Sequence, residues 1–448
     1  MMEQGDNIQH LVGKPLWTRV TGYLKLSGPG YMQSAMTLGG GSVASCAVLG
    51  SLFGYKYLWV QIVAMMLGFV VLASVAKQTT HSGERPYGVF WRELHPSLAI
   101  LWAVSAMVAT ILWHIPQYSL TANGLITLAE GMNMNWDNSG ARIAMGVVVL
   151  GLAAFMVYVY HSGARGLKIY EKIIKVLIWL IVAAFAIAAF TGEPIAWKEL
   201  FKGLFGITFI AEGFEQGLAL KPVVAALAAA VGINMIFLYP YSLLERRWKS
   251  EHKELAYVDL LSGMAFPFIL ATSLMIIAVA KTIGPEPGLI GEAIRDVRQI
   301  IPVLSASLGD PMARLIVGFG VTAIGFSTIV MHMLAAGFIG CEMFGQKHEG
   351  RTKWLFSLLP AIGVIGVVIK FPIPLAITAS TLAMPLMPIT VVCFMILLNR
   401  PSYMGKAMPR GGRRILWNVL MTIAIVIMTG AAYFSVVNNW AALQGLLS

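Results

Sequence analysis

Eleven apolar runs, each long enough to cross a bilayer as a helix, follow one another along this 448-residue chain. They fall at 26–53, 57–77, 98–128, 143–160, 173–190, 222–248, 258–283, 312–344, 354–371, 375–398 and 415–437. In hydrocarbon every backbone N–H and C=O must find its partner within the protein, so runs of this length fold as helices. Composition agrees: 58% of residues are hydrophobic and 12% charged, against about 25% charged in soluble domains. The chain reads as an all-α polytopic membrane protein forming one bundle. Its three cysteines, Cys46, Cys341 and Cys393, lie in separate apolar runs and read as small packing residues rather than disulfides or metal ligands. The polar N-terminal segment, 1–25, lacks a signal-peptide pattern, so the first apolar helix is expected to direct insertion.

Charge fixes the orientation. With the N-terminus in the cytoplasm and eleven crossings, roughly two thirds of the 32 Lys and Arg fall on the inner side, and the net +11 lies wholly there. The C-terminus is then extracytoplasmic. Positive-inside bias accounts for the basic pI, so nucleic acid is not expected as a partner. The basic clusters Arg246, Arg247, Lys249 and Arg410, Arg413, Arg414 need no role beyond orientation and lipid headgroups.

Two crossings carry helix-breaking interiors. The first holds Gly39, Gly40, Gly41 and Ser42, and three successive glycines cost a helix about 2–3 kcal/mol relative to alanine. The sixth holds Tyr239-Pro240-Tyr241, with Pro240 as the expected break. They lie five spans apart, so they enter the membrane from opposite sides. That is the pattern of two inverted five-helix repeats with a transport site where broken helices face each other. The repeats are expected at 26–190 and 222–398, joined by an extracytoplasmic connector (191–221). A basic loop and an eleventh helix (399–448) follow. No Walker loop, HExxH, GxSxG or intramembrane carboxylate pair is present, so no enzyme and no cofactor is expected.

GPGYMQSAMTLGGGSVASCAVLGSLFGYKYLWV resembles the first-helix region of the Nramp divalent-metal transporters. Further resemblances follow in order: Ser82-Gly83, ARGLKIYEKIIKVLI, WKELFKGLF, VGINMIFLYPYSLLE, TAIGFSTIVMHMLAAG, MPLMPITVVCFMILLNR and YMGKAMPRGGRRILWNV. The resemblance covers nearly the whole chain. It implies the inverted-repeat LeuT/APC-type fold with helices 1 and 6 broken, and alternating access.

The departures are in the motif residues. Where the family has Asp-Pro-Gly-Asn, whose Asp and Asn bind metal, this chain has Gly39, Gly40, Gly41 and Ser42. Where the family has Met-Pro-His, the resemblance aligns Tyr239, Pro240 and Tyr241. The Asp and Glu of the family's third helix align with Ile111 and His114. His114 is thereby a candidate for proton coupling, or else a neutral histidine bonded to a neighbouring helix. Asn234 either satisfies freed backbone or touches substrate.

His332 reads as a packing residue, Glu171 with Lys172 and Lys175 as an interfacial charge group, and Asp259 as the partner of a basic loop residue. Glu212 and Glu215 read as solvated or vestibule residues.

The residues therefore suggest a secondary-active transporter whose metal site has been replaced by a Gly-rich and Tyr-lined one. Gly39, Gly40, Gly41, Ser42, Asn234, Tyr239 and Tyr241 would then hold a small solute or non-standard ion. Coupling would be to H⁺ or Na⁺, with no bound metal, in a bacterial inner membrane. The alternatives are a divalent-cation transporter, as the resemblance implies, and a non-transporting receptor on the same fold.

Overall fold

The computed structural model describes residues 8–11, 13–205, 217–286, 289–370 and 372–447. Glu212 and Glu215 lie outside them. Among the described residues every regular element is a helix. Among the described residues nine helical stretches are long and apolar enough to cross a membrane: Leu58–Ser82, Pro96–Gly131, Ser139–His161, Arg165–Phe190, Leu220–Glu245, Ser250–Ile283, Asp310–Met343, Gly350–Val368 and Gly411–Val437. Two bent pairs, Pro29–Thr37 with Gly40–Phe53 and Pro372–Leu386 with Pro388–Leu398, bring the crossings to the expected eleven. The pairs bend by 50° and 41°. The second bend, in the tenth span before Pro388, has no counterpart in the sequence reading.

The third and eighth spans form the most extensive helix pair in the bundle. Small residues allow it. A Cβ on Gly124 would stand 2.6 Å from the Thr322 backbone nitrogen and 2.9 Å from the Gly318 carbonyl oxygen. Backbones that approach this closely gain dispersion contact that lipid cannot match. The three cysteines are free and buried, as packing residues should be.

The first span breaks where the glycines predict. Pro29–Thr37 ends at Leu38, and Gly39, extended at φ −92° and ψ −172°, caps the N-terminus of Gly40–Phe53. The sixth span breaks elsewhere than expected. Leu220–Ala230 stops at Val231 (φ −149°, ψ 111°), and Ile233–Glu245 starts after Gly232 (φ −96°, ψ 156°). Pro240 lies inside that second half-helix. Prolines ride in membrane helices when neighbours shelter the freed carbonyl, and here Pro240 does not interrupt the rod. Trp113 of the third span packs closely over the actual break. A Cβ on Gly232 would meet the indole at 2.7 Å, so only glycine lets that ring close over the interruption.

Two polar networks sit towards opposite ends of the bundle. At one end, both carboxylate oxygens of Asp259 accept backbone N–H groups at the start of the first span, from Gly28 at 2.8 Å and Gly30 at 2.6 Å. Asp259 was expected to pair with a basic loop residue. It caps a helix N-terminus instead, where a carboxylate offsets both orphan donors and the dipole. Beside it the half-buried Arg246 and the buried Glu171 form an ion pair, and Lys175 donates to the Ser27 carbonyl. At the other end, buried Arg142 donates to Asp137 at 2.8 Å, Asn123 at 3.0 Å and the Val367 carbonyl at 3.1 Å. Asn123 in turn donates to Asp296, at 2.9 Å.

A candidate cation site between two interrupted helices

The two breaks enclose a small cavity. Its walls include Met36, Gly39 and Gly41 from the first span and Gly232, Asn234 and Met235 from the sixth, with Trp113, Gln117, Thr328 and His332 from the third and eighth. The space open to the centre of a water-sized sphere is about 20 Å³. About 10–15 Å³ by that measure holds one water. The cavity therefore has the size of one water molecule or one monatomic ion.

Its polar groups divide into those already engaged and those left over. The Gly40 N–H donates to Gln117 Oε1 at 3.0 Å, and Gln117 Nε2 donates to the Trp113 carbonyl at 3.2 Å. Thr328 Oγ1 donates to the Ala35 carbonyl at 2.8 Å. Ser42 Oγ donates to the Thr37 carbonyl, so the one hydroxyl of the glycine stretch serves the broken backbone. The Trp113 indole donates to Ser380 of the tenth span at 3.1 Å. Spans three and eight thus bond directly to the backbone around the first break, and span ten bonds to span three.

Asn234 is the exception. It is 1% exposed, and neither its amide oxygen nor its amide nitrogen has a partner among the described residues. An unsatisfied buried polar group costs about 1–3 kcal/mol, and such a group on a cavity wall is a ligand in waiting. Among the described residues no three His, Cys, Asp or Glu side chains converge as a metal site. Any cation here meets neutral donors only.

The expected site residues are therefore only partly brought together. Gly39, Gly41 and Asn234 line the cavity, whereas Gly40 and Ser42 border it through backbone bonding. Tyr239 and Tyr241 are elsewhere. The Tyr239 hydroxyl points to the Ala256 carbonyl at 3.5 Å, and Tyr241 stacks on Phe237 and His348 with ring centroids 5.2 and 5.4 Å away. Both sit about two turns beyond the true break, so they cannot offer the aromatic surface expected of them. Sequence reasoning missed Gln117, Thr328, Met36 and Met235, which look like ordinary helix residues. It also placed His332 in packing, whereas His332 lines the cavity and stands against His114, Nδ1 to Nδ1, at 3.4 Å.

Comparison with known proteins follows this geometry. Residues 30–438 match the Nramp family, described as natural resistance-associated macrophage protein-like. The chain is 20% identical over 416 residues to the divalent metal cation transporter MntH of Acidiphilium cryptum, covering 90% of this chain and 88% of that one. It is 23% identical over 352 residues to MntH of Bacillus subtilis, covering 77% of each. The crystal structure of the Eremococcus coleocola manganese transporter in complex with an aromatic bis-isothiourea substituted compound superposes with a TM-score of 0.75 at 16% identity, over 97% of this chain and 90% of that one. That likeness establishes the fold: eleven helices with an inverted five-plus-five repeat and broken first and sixth members. By the extent of the family match, this chain is a membrane transporter of the Nramp family.

Proposed function

We propose that the protein carries a divalent metal cation across the membrane by alternating access, through the cavity between the Gly39 and Gly232 breaks. The observation that carries this reading is Asn234, an unpartnered amide on the wall of an ion-sized space. The ligands are the Asn234 oxygen and the carbonyls of the two breaks. Neutral oxygen donors cannot replace a full hydration shell around a doubly charged ion. The cation is accordingly weakly held, and such an oxygen set suits a hard ion better than a thiolate-seeking one. Relatives named as divalent metal cation transporters support the substrate class. The solute reading loses its main support because Tyr239 and Tyr241 are not at the cavity.

The His114–His332 pair supplies the coupling, holding one proton between the third and eighth spans. The repeats, 26–190 and 222–398, move relative to one another around the fixed site, in a bacterial plasma membrane with the N-terminus inside. Proteoliposomes test the substrate. Saturable Mn²⁺ or Mg²⁺ uptake that falls about tenfold in Asn234→Leu is expected, a loss of about 1.4 kcal/mol. Saturable uptake of an organic solute, with none of any divalent cation, would overturn the proposal.

A further inference from the structure

A second and much larger cavity, about 710 Å³, opens away from the transport site. The end of the second span contributes Lys77 and His81, the start of the seventh Lys253, and the loop into the eleventh Lys406, Arg410 and Arg413. Among the described residues no acidic side chain lines it. Some other cations on this face do have carboxylate partners: Arg92 has Glu84, Arg246 has Glu171, Lys353 has Glu245 and Arg400 has Glu93. Among the described residues none of Lys77, Lys253, Lys406, Arg410 and Arg413 is ion-paired with a carboxylate. The ammonium of Lys77 lies 5.9 Å over the ring of Trp417 and is otherwise turned to the cavity wall.

Like charges this close repel, and a fold that keeps five of them around one space needs a reason. The segments flanking the wall are anchored by hydrogen bonds. Tyr403 donates to Ser82 at 3.3 Å, Ser402 to Glu93 at 2.9 Å, and Arg414 to Asn399 at 2.9 Å, tying the loop to the second span and to the tenth. A cavity with several cations and, among the described residues, no carboxylate on its wall suits a multiply charged anion.

We propose that this cavity binds a phosphate group. The group comes from the head of an anionic phospholipid or from phosphate in solution. Lysine and arginine recognise the phosphate oxygens in either case. Trp417, beside Lys77, lies in the first two turns of the eleventh helix, a helix-end position that indoles favour in membrane proteins. An occupant bridges the second span, the seventh span and the loop before the eleventh.

The test uses the full-length protein in neutral detergent. Thermal unfolding is followed with phosphatidylglycerol against phosphatidylcholine, and separately with inorganic phosphate against chloride at equal ionic strength. The expected result is a saturable rise in midpoint of about 2–4 °C with the occupant. Most of it should be lost in the Lys253→Gln/Arg413→Gln double variant and kept in a charge-matched Lys168→Gln/Lys172→Gln control. A rise with phosphatidylglycerol alone identifies lipid; a rise with inorganic phosphate identifies the soluble ion. Without either anion the double variant should melt no lower than the native protein, because it relieves repulsion. No rise with either anion, or an equal rise in the double variant, would overturn the proposal.

Discussion

The imidazoles of His114 and His332 face each other at 3.4 Å, Nδ1 to Nδ1, between the third and eighth spans. Two bare ring nitrogens at that separation must share a hydrogen, and two charged rings would repel strongly in so buried a place. The pair therefore suits one proton at a time. Facing His114 are His332, the ring of Tyr118 at 5.2 Å, and the close backbone of Gly363. Among the described residues no carboxylate is bonded to either ring.

Replacing either histidine should separate coupling from binding. His114→Gln and His332→Gln should lose cation uptake driven by a proton gradient at least tenfold. Cation binding by calorimetry should change far less. Gradient-driven uptake that survives both substitutions would remove the pair from the mechanism.

The sixth-span break should be intolerant of any side chain at Gly232. Alanine there would place its Cβ 2.7 Å from the Trp113 ring. Overpacking of this kind costs about 1–3 kcal/mol. Gly232→Ala should lower the thermal midpoint and uptake together, whereas Pro240→Ala, inside a continuous helix, should leave uptake within about twofold. If Pro240→Ala proved the damaging variant, the break would have been placed wrongly.

Asp259 should govern how firmly the first half-helix is seated. Asp259→Ala leaves the Gly28 and Gly30 N–H groups without acceptors, about 1–3 kcal/mol each. Hydrogen exchange at those two amides should quicken tenfold or more. Asp259→Asn keeps one acceptor and should show a smaller change. Unaltered exchange in Asp259→Ala would show that the cap is not holding that helix.

At the opposite end, the hydrogen bond from Arg142 holds the Asp137 carboxyl below the usual carboxylate range. A depressed folded pKa gives stability that is complete above the unfolded value, about 3.9, and is lost as pH falls through the folded one. Asp137→Asn should therefore melt lower than the native protein at pH 7, and the gap should close below about pH 4. Asp137 is partly exposed, so the gap should be modest, on the order of 1 kcal/mol or less. A gap that is the same at pH 7 and pH 3 would contradict the sign.

How much of this was legible beforehand depended on the signal each residue carries. Eleven crossings follow from hydropathy, because lipid leaves helices no alternative. Gly39, Gly40 and Gly41 marked the first break because three glycines in a row weaken a helix; close packing was the competing reading, and Gly40 and Gly41 do sit tightly against Leu120 and Ser380. The second break was misread. Pro240 is the louder symbol, yet a proline sheltered by neighbouring helices keeps a rod intact, whereas the break falls at Gly232, under a tryptophan more than a hundred residues away. That contact is tertiary and leaves no local mark. The same holds for Gln117 and Thr328, whose bonding to the first break joins residues 77 and 293 apart, and for the two histidines, 218 apart. Asn234 was found because a lone amide in an apolar run is costly wherever it sits.

The central claim is that a cation rests between the Gly39 and Gly232 breaks on the amide oxygen of Asn234. Anomalous scattering from crystals of the protein soaked in Mn²⁺ tests it most directly. The account predicts one anomalous peak in that space within about 2.5 Å of the Asn234 oxygen, absent in Asn234→Leu. A peak seated on other residues, or density for an organic solute filling that space, would contradict it.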